Sequence, residues 1–300
     1  MVSRSFVRAL LIGAGAALVV LLAIFLLRGG GGSGEEAGPG ARFDPAAFVR
    51  GRPKLDAPYV ATDYQVVDAM LGMAGVRPGD FVVDLGSGDG RILIAAARSH
   101  GARGLGVDID PARIRESRAN ARAAGVAHRV EFRRQDLFET PIGEADVLTL
   151  YLTREINLRL RPRILREMRP GTRVVSHDFD MGEWRPDQRQ RIGSSTLHLW
   201  IVPARVEGRW TLTTGDGRTA ALALDQSFQE LSGTATLNGG SVPLTLGRIE
   251  GARIHFVADL GEGRRLYQGR VEGDRIAPVA GARPLLPVAL ASGWHAVRAR

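Results

Sequence analysis

The ten residues VVDLGSGDGR, at positions 82–91, constrain the fold of this chain more than any other stretch. An apolar run ends in an acid, and three glycines follow at alternate positions before a segment with helical periodicity. A glycine-rich turn between a strand and a helix allows backbone N–H groups and the helix N-terminus to approach a polar ligand closely. The stretch therefore predicts a strand, a ligand-binding loop and a helix in succession.

Apolar runs and helical segments alternate on both sides of this loop. Helical periodicity predicts helices over residues 64–76 and 90–102, a third that begins at Pro111, and a fourth over residues 157–168 that Pro162 interrupts. Short apolar runs predict strands at residues 81–85, 104–109, 130–135, 145–152 and 172–179. Hydrophobic strands that alternate with helices are typical of a parallel sheet covered on both faces. We therefore expect an α/β domain with a Rossmann-like sheet over residues 43–203.

The pattern changes after about residue 204. From Trp210 on, short runs are separated by GDG, NGG, GEG and EGD turns, which is typical of a meander of hairpins. About eight such runs predict a small all-β domain over residues 204–300, either an up-and-down barrel or a curled sheet. Trp210 and Trp294, at its start and its end, are expected to be core aromatics. The alternative is that the two rings pack against each other where the first and last strands would close a barrel.

The N-terminal segment predicts a membrane anchor. Residues 9–27 carry no charge and, at about 1.5 Å per residue, are long enough to cross the hydrocarbon core of a bilayer. A signal peptide is the alternative, but its apolar region usually has about 7 to 15 residues and ends at a small-residue cleavage site. We therefore predict a single transmembrane helix within residues 1–28, followed by a flexible, glycine-rich linker over residues 29–42.

Composition excludes some kinds of site. Cysteine is absent, so the chain has no disulfides, no thiolate zinc sites and no cysteine nucleophile. The formal net charge is +8, and Lys54 is the only lysine, so arginine supplies nearly all of the positive charge. A GC-rich coding sequence explains that bias more simply than selection for phosphate binding does.

The glycine spacing indicates which ligand the loop holds. A dinucleotide loop has the pattern G-x-G-x-x-G, whereas Gly86, Gly88 and Gly90 give G-x-G-x-G, followed by Arg91. Asp84 precedes the loop and Asp89 lies within it. These acids disfavour a pyrophosphate and suit a ligand with cationic groups. S-adenosylmethionine, which carries a sulfonium and an ammonium, meets that requirement.

With VDLGSGDG as its first motif, the chain resembles the class I S-adenosylmethionine-dependent methyltransferases from about residue 57 to residue 200. The resemblance implies that Asp84 and the loop residues line the methionine end of the cofactor. Asp108, 22 residues after Gly86, would accept the ribose hydroxyls, and Asp136 would hold the adenine amino group. The full set of loop residues implied to bind the cofactor is Gly86, Ser87, Gly88 and Gly90.

A second motif narrows the resemblance. APYVAT, at residues 57–62, resembles the PYVPT pattern of the membrane-anchored family that includes the ATP-synthase c-subunit lysine methyltransferases, with Ala61 in place of proline. The resemblance implies that Tyr59 and Thr62 fold over the cofactor. The alternative is that the two residues only cap the following helix.

The acceptor is expected beyond the fourth strand. Tyr151 is the candidate catalytic residue because it would flank the acceptor, with Thr153 and Glu155 nearby. The segment lacks the Asn/Asp-Pro-Pro-Tyr motif of methyltransferases that act on nucleic-acid bases. His177, Asp178 and Asp180 follow the fifth strand; a solvated turn is the preferred interpretation, and a general base or a metal site is the alternative.

Charge bears on the partners and on the topology. The arginines of the fourth helix and beyond predict a basic surface that would meet lipid headgroups: Arg159, Arg161, Arg163, Arg166, Arg169 and Arg173. RNA is disfavoured because no aromatics interleave with them. Arg4 and Arg8 before the apolar segment are matched by Arg28 and Arg42 after it, so charge does not fix its orientation. Because S-adenosylmethionine is cytoplasmic, we expect a cytoplasmic catalytic domain.

Two hypotheses follow. The first is a membrane-anchored methyltransferase with S-adenosylmethionine as donor and no metal, whose first-choice acceptor is a protein lysine, in a membrane protein for instance; RNA or a small molecule is the other acceptor class. The second is a non-catalytic protein that binds an envelope ligand through residues 204–300. They are separable because only an enzyme should depend on Asp108.

Overall fold

The computed structural model describes residues 60–279 and 287–299. The helices within them are α1 (Tyr64–Met73), α2 (Arg91–His100), α3 (Pro111–Ala123) and α4 (Arg154–Glu167). The strands of the N-terminal half are β1 (Phe81–Leu85), β2 (Arg103–Asp108), β3 (Val130–Arg134), β4 (Val147–Leu150), β5 (Arg173–His177), β6 (Gln188–Ile192) and β7 (Ser195–Ile201). The four helices and the first five strands lie where the sequence pattern predicts them, within a few residues.

These seven strands form one sheet in the order β3-β2-β1-β4-β5-β7-β6. The first five strands are parallel, and β1 lies between β2 and β4. Chain order therefore reverses at β1, and in sheets of this kind ligands bind beyond the carboxyl ends of the strands at such a point. The predicted α/β, Rossmann-like sheet is confirmed, and it puts the glycine loop after β1 at the expected binding edge.

The edge of the sheet differs from the prediction. Strands β6 and β7 form an antiparallel hairpin, and β7 pairs antiparallel with β5. The pattern analysis missed the hairpin because β6, with the sequence QRQRI, is almost entirely exposed and carries no apolar alternation. Helix α4 also runs uninterrupted through Pro162, and it begins at Arg154, where the side chain of Thr153 caps it by accepting from the Ile156 amide.

Two apolar layers enclose this sheet. One face packs on α1, α2 and α3 through side chains such as Val67, Leu93 and Phe132. The other packs on α4 through side chains such as Leu148, Leu160 and Trp200, all fully buried. Because successive residues of a strand point to opposite faces, strands buried on both faces are mostly apolar, as β4 (VLTL) is; its one polar residue, Thr149, donates a hydrogen bond to Asp84.

The described residues between 208 and 298 form a second sheet of nine antiparallel strands: β8 (Gly208–Thr213), β9 (Thr219–Ser227), β10 (Glu230–Leu237), β11 (Gly240–Pro243), β12 (Thr245–Glu250), β13 (Arg253–Asp259), β14 (Arg264–Glu272), β15 (Arg275–Pro278) and β16 (His295–Arg298). The last strand pairs with the first, and β10 pairs with both β9 and β12, so the sheet closes on itself. The predicted meander is thus an up-and-down barrel.

Aromatic side chains pack together inside the barrel. Trp294 packs edge-on against Phe256 and Tyr267, with ring centroids 6.1 and 5.3 Å away. Trp210 lies instead beneath the guanidinium of Arg298, at 4.4 Å. Trp210 lies on β8 and Trp294 directly precedes β16, which pairs with β8, but each ring is packed by other partners, in agreement with their interpretation as core aromatics.

Direct contacts join the barrel to the edge of the first sheet. The side-chain amide of Gln229, which is buried, donates to the Arg185 carbonyl at 2.7 Å. Arg248 pairs with Asp187 at 2.8 Å, and the ring of Phe228 stacks on Trp184. These contacts lie at the β6–β7 side of the sheet, away from the glycine loop.

Within residues 60–279 and 287–299, none of the helices has the length and apolar character required to cross a bilayer. The predicted span at residues 9–27 and the predicted linker lie outside those residues.

Candidate functional site

The glycine loop after β1 has the tight backbone that its sequence predicts. Gly86, Gly88 and Gly90 all have positive φ angles, of 79°, 53° and 82°. Gly90 is also the N-cap of α2, and a Cβ added there would lie 2.6 Å from Phe132 Cζ and 2.9 Å from Ser117 Cβ. Two requirements, left-handed backbone and close packing, therefore select glycine at position 90.

A cavity of about 220 Å³ lies beside this loop, at the carboxyl ends of β1, β2 and β4. Six of the residues assigned to the site from the sequence line it: Thr62, Asp84, Gly86, Ser87, Asp108 and Asp136. Tyr151, the acceptor candidate, lines it as well. Gly88 and Gly90 belong to the loop without lining the cavity, and Tyr59 lies outside the described residues.

Asp84 lines this cavity, and one of its carboxylate oxygens has no hydrogen-bond partner among the described residues. Its Oδ1 accepts a hydrogen bond from Thr149 Oγ1 at 2.6 Å, whereas Oδ2 is buried and has no hydrogen-bond partner among the described residues. Burial raises the pKa of Asp84 to about 7, against the lowering effect of the Thr149 hydrogen bond, and the charges of Asp108 and Asp89 raise it further. A cationic group in the cavity would satisfy this oxygen.

Asp108 is held rigidly by the backbone. Its Oδ2 accepts from the Gly88 amide at 3.0 Å, and its Oδ1 accepts from the Asp110 amide at 2.9 Å. Burial raises the pKa of Asp108, while these two amide hydrogen bonds lower it. The carboxylate therefore fastens the glycine loop to the end of β2. Asp136, which is 28 residues further on, accepts from the Phe138 amide at 2.8 Å.

Thr62 is part of the cavity wall and does not cap a helix. The N-cap of α1 is Asp63, whose side chain accepts from the Gln65 amide. Thr62 is itself 4% exposed, and its carbonyl accepts from Arg91 Nη1 at 2.6 Å. The same arginine makes a bidentate contact with Asp89, so the segment before α1 is tied to the glycine loop.

Tyr151 stacks on a histidine that the sequence interpretation placed in a solvated turn. The ring centroids of Tyr151 and His177 are 3.9 Å apart, with 27° between the planes. His177 is 4% exposed; its Nδ1 is 3.4 Å from Thr62 Oγ1, and its Nε2 is 2.8 Å from Ser195 Oγ. The solvated-turn interpretation is therefore wrong for His177. Residue type alone gave no signal, because the neighbour Ser195 lies on the hairpin that the sequence analysis missed.

The other two acids of that segment have structural roles. Asp178 is exposed, has a φ of 62° and accepts from the Thr196 amide. Asp180 pairs with Arg154 and accepts from the Gly182 amide. No group of His, Asp and Glu residues in the described ranges is arranged to hold a metal ion. Thr153 caps α4, and neither it nor Glu155 lines the cavity.

The arginines of the predicted basic surface, on α4 and just after it, make contacts within the protein. Arg163 pairs with Glu167 and donates to the carbonyls of Phe138 and Thr140. Arg161 donates to the Met181 carbonyl, and Arg159 lies over the Phe138 ring. The remaining guanidiniums pair with acids: Arg166 with Glu167, Arg169 with Asp146, and Arg173 with Asp80.

Comparison with known proteins identifies the family. A family model described as the ANTKMT methyltransferase domain matches residues 84–188. Over 150 residues, the chain is 40% identical to a protein-lysine N-methyltransferase of Saccharolobus islandicus, a match that covers 48% of this chain and 93% of that protein. The chain belongs to the same methyltransferase family as this archaeal protein. It is an enzyme, and the resemblance stated from the VDLGSGDG motif is confirmed.

Two further similarities extend the comparison. The chain is 31% identical over 155 residues to an adenine nucleotide translocase lysine N-methyltransferase of Mus musculus, covering 52% of this chain and 66% of the mouse protein. It is 52% identical to a solved structure described as an RNA methyltransferase from Salinibacter ruber in complex with S-adenosyl-L-homocysteine, covering 49% of this chain and 96% of that one, with a TM-score of 0.48. The matches leave about half of this chain unaligned.

The methyltransferase is dependent on S-adenosylmethionine, and the cavity fits that donor. The unpartnered Oδ2 of Asp84 suits its ammonium, and the Oγ of Ser87, also buried without a partner in the described part of the chain, offers a hydrogen bond. The positive φ angles bring the loop backbone close to whatever fills the cavity. When bound, the donor supplies an electrophilic methyl group; the chain's part is to orient the acceptor and exclude water.

Proposed function

We propose that this methyltransferase transfers the methyl group to the ε-amine of a protein lysine. The observation that carries the proposal is the 40% identity with the archaeal protein-lysine N-methyltransferase across 93% of that protein's length. The mouse relative is likewise named as a lysine N-methyltransferase. The individual roles of the cavity residues are part of the proposal.

The geometry of the cavity agrees with an amine acceptor. Asp84 and Tyr151 both line it: Asp84 lies near the carboxyl end of β1, and Tyr151 directly follows the neighbouring strand β4. An aromatic ring attracts an alkylammonium group through its quadrupole, so the half-buried Tyr151 is suited to guide a lysine side chain toward the methyl group. Burial raises the pKa of Tyr151, with a further increase from Asp178, so its hydroxyl stays protonated at neutral pH.

Membrane attachment and the cytoplasmic location remain part of the proposal. The apolar run at residues 9–27 supports an anchor, and relatives are named for lysines of the adenine nucleotide translocase and of the ATP-synthase c-subunit, which are membrane-associated proteins. An anchored enzyme would meet such substrates by diffusion in the plane of the bilayer. A topology reporter fused after Arg300 should show the C-terminus on the cytoplasmic side.

The acceptor assay exploits the composition of the chain. Lys54 is its only lysine, so Lys54→Arg removes every ε-amine from the enzyme and eliminates self-methylation of lysine as background. The full-length variant in detergent is incubated with radiolabelled S-adenosylmethionine and with poly-L-lysine, poly-L-arginine, isolated ATP synthase c-ring or total RNA. We expect label on the lysine-containing acceptors and not on poly-L-arginine.

Mass spectrometry then locates the methyl groups on lysine Nε. Asp108→Ala serves as the inactive control, and Asp225→Ala, an exposed acid on β9, is the matched control that should keep full activity. Label on RNA alone would overturn the lysine proposal in favour of the RNA class. Label on none of the four, from a protein that binds S-adenosylmethionine, would direct the search to small-molecule acceptors.

A further inference from the structure

His177 is a buried titratable group that stacks on Tyr151, the acceptor candidate, and residues of three other segments contact it. Thr62 precedes α1, Tyr151 follows β4, Ser195 begins β7, and His177 itself ends β5. Thr62 and Tyr151 line the cavity, whereas Ser195 is half-buried and Asp178 is exposed. The imidazole thus lies between the cavity wall and solvent.

The two ring nitrogens of His177 face opposite sides of this partition. Nδ1 is 3.4 Å from Thr62 Oγ1, on the cavity side. Nε2 is 2.8 Å from Ser195 Oγ and 3.4 Å from Asp178 Oδ2, on the solvent side. A hydroxyl both donates and accepts, and a neutral imidazole has one donor and one acceptor nitrogen, so the chain from Thr62 to Ser195 is continuous for a proton.

Methylation of an amine creates the need for such a path. A lysine arrives almost entirely as the ammonium, whose nitrogen has no lone pair, and it must lose a proton before it attacks. Tyr151, with its raised pKa, is an acid too weak to ionise and a base too weak to take that proton. Asp84 faces the cation-binding part of the cavity, where its unpartnered oxygen is suited to the donor's ammonium.

We propose that Thr62, His177 and Ser195 form a proton relay that removes the proton from the acceptor ammonium; this inference rests on the proposed lysine acceptor. The ammonium N–H bond breaks as its proton passes to Thr62 Oγ, and the Thr62 hydroxyl proton passes to His177 Nδ1. The Nε2 proton leaves to Ser195 or Asp178 and then to water. The freed lone pair forms the N–CH₃ bond while the donor's C–S bond breaks, so charge and atoms balance.

The charges around the imidazole favour proton transfer from Thr62 to His177 Nδ1. Burial lowers the pKa of His177, and the adjacent Asp178 raises it only in part, so the ring is neutral at pH 7 and Nδ1 is available to accept. Of the residues from other elements that pack on it, Ser195 and Thr62 are uncharged, Tyr151 is protonated, and Arg91 donates to the carbonyl of Thr62. His177 acts through Thr62, so it is a positioning residue for the proton and not a group that touches the acceptor.

The first test needs no turnover. In the full-length protein, ¹⁵N NMR with His177→Gln for assignment identifies the ring and its tautomer. We expect Nδ1 unprotonated and Nε2 protonated at pH 7. Thr62→Val should shift the Nδ1 resonance and the titration midpoint of His177, while Thr62→Ser should leave both as in the wild type. A protonated Nδ1, or a Thr62→Val spectrum identical to that of the wild type, would overturn the relay.

The second test is the pH profile of kcat/KM with poly-L-lysine as acceptor. The wild type must free both the amine and His177 of a proton, so the logarithmic slope should steepen from one to two below the NMR midpoint of His177. His177→Gln should be slower by about 100-fold at pH 7 and should show a slope of one throughout. Thr62→Val should behave likewise, and Thr62→Ser should restore both rate and profile.

Ser195→Ala should lose about fivefold, because Asp178 remains beside Nε2, and the exposed neighbour Ser194→Ala is the matched control. The donor's Kd should stay within about twofold in each variant. If His177→Gln is slower but its pH profile of kcat/KM still steepens to a slope of two, the substitution has only disturbed packing around the site. That result would contradict the proposal. Failure of the wild type to methylate lysine would remove the proposed function, whereas the NMR result would still decide whether the relay contacts exist.

Discussion

The two sheets of this enzyme differ in what their buried side chains do. At the carboxyl end of the first sheet, Asp84 Oδ2 and Ser87 Oγ are buried without a partner in the described part of the chain, and they face a cavity. In the barrel, Phe256 stacks on Tyr267 and Trp294 packs edge-on against both, although Trp294 Nε1 is itself buried without a partner in the described residues. An unsatisfied buried acceptor costs stability until a ligand arrives, whereas packed rings stabilise the fold at all times. The first sheet is therefore built for a ligand, and the barrel core for stability.

The largest effect should come from the barrel core and should leave the donor site untouched. Trp294→Ala removes one of the largest fully buried side chains, so we expect the free energy of unfolding to fall by about 3–5 kcal/mol in chemical denaturation. The Kd for S-adenosylmethionine, measured on the folded fraction, should stay within about twofold. A tenfold loss of donor affinity would show that the division between the two sheets is wrong.

The next effect compares a glycine from each sheet. Gly90 and Gly239 have nearly the same φ, 82° and 81°, but a Cβ meets Phe132 at 2.6 Å in the first and nothing within 4 Å in the second. Gly90→Ala should therefore lower the free energy of unfolding by about 3 kcal/mol, through strain and overpacking together. Gly239→Ala should lower it by about 1 kcal/mol, through strain alone. Equal losses in thermal or chemical denaturation would contradict the packing argument.

The third effect depends on pH. Because the pKa of Asp84 is raised to about 7 in the folded protein, ionisation opposes folding: stability falls as pH rises from about 4 toward 7 and then stays at the lower value. Asp84→Asn should therefore be more stable than the wild type by about 2–4 kcal/mol at pH 8, and the difference should vanish near pH 4. Denaturation of both proteins without donor at each pH measures this.

Asp84→Asn should also remove the ionic contact between Asp84 and the donor's ammonium. A bound ammonium would lower the pKa of Asp84, so donor binding near pH 6 should release a proton in the wild type and none in Asp84→Asn. Calorimetry in two buffers with different ionisation enthalpies detects the release. Equal free energies of unfolding for the two proteins at pH 8 would show that burial of the ionised Asp84 carboxylate does not destabilise the fold.

The smallest effect is expected where the two sheets meet. Arg248→Ala breaks the ion pair with Asp187, in which the arginine side chain is 38% exposed, and we expect a loss of about 0.5–1 kcal/mol in the free energy of unfolding. Donor affinity and kcat should not change. A marked fall in kcat would mean that contacts between the barrel and the first sheet are energetically coupled to the donor site.

The sequence was informative where chemistry and geometry demand one residue type. Gly90 is required by its φ and by Phe132, and the acids at the ends of β1, β2 and β3 follow from the strand pattern; all were predicted from the sequence and line or support one cavity. His177 was not predicted as buried, because its burial depends on Ser195 and on a hairpin whose exposed strand has no apolar pattern. The partners of the α4 arginines could not be predicted, because donation to carbonyls such as that of Met181 is a tertiary property.

The central claim is that the acids beside the glycine loop hold the methyl donor, and titration calorimetry of S-adenosylmethionine into the full-length protein tests it most directly. Asp108→Ala removes the acceptor of the Gly88 amide at the cavity wall, while Asp225→Ala removes an exposed acid of the barrel. The account predicts that Asp108→Ala weakens binding by about 10- to 100-fold and that Asp225→Ala does not. A folded Asp108→Ala protein that binds the donor as tightly as the wild type would contradict the account.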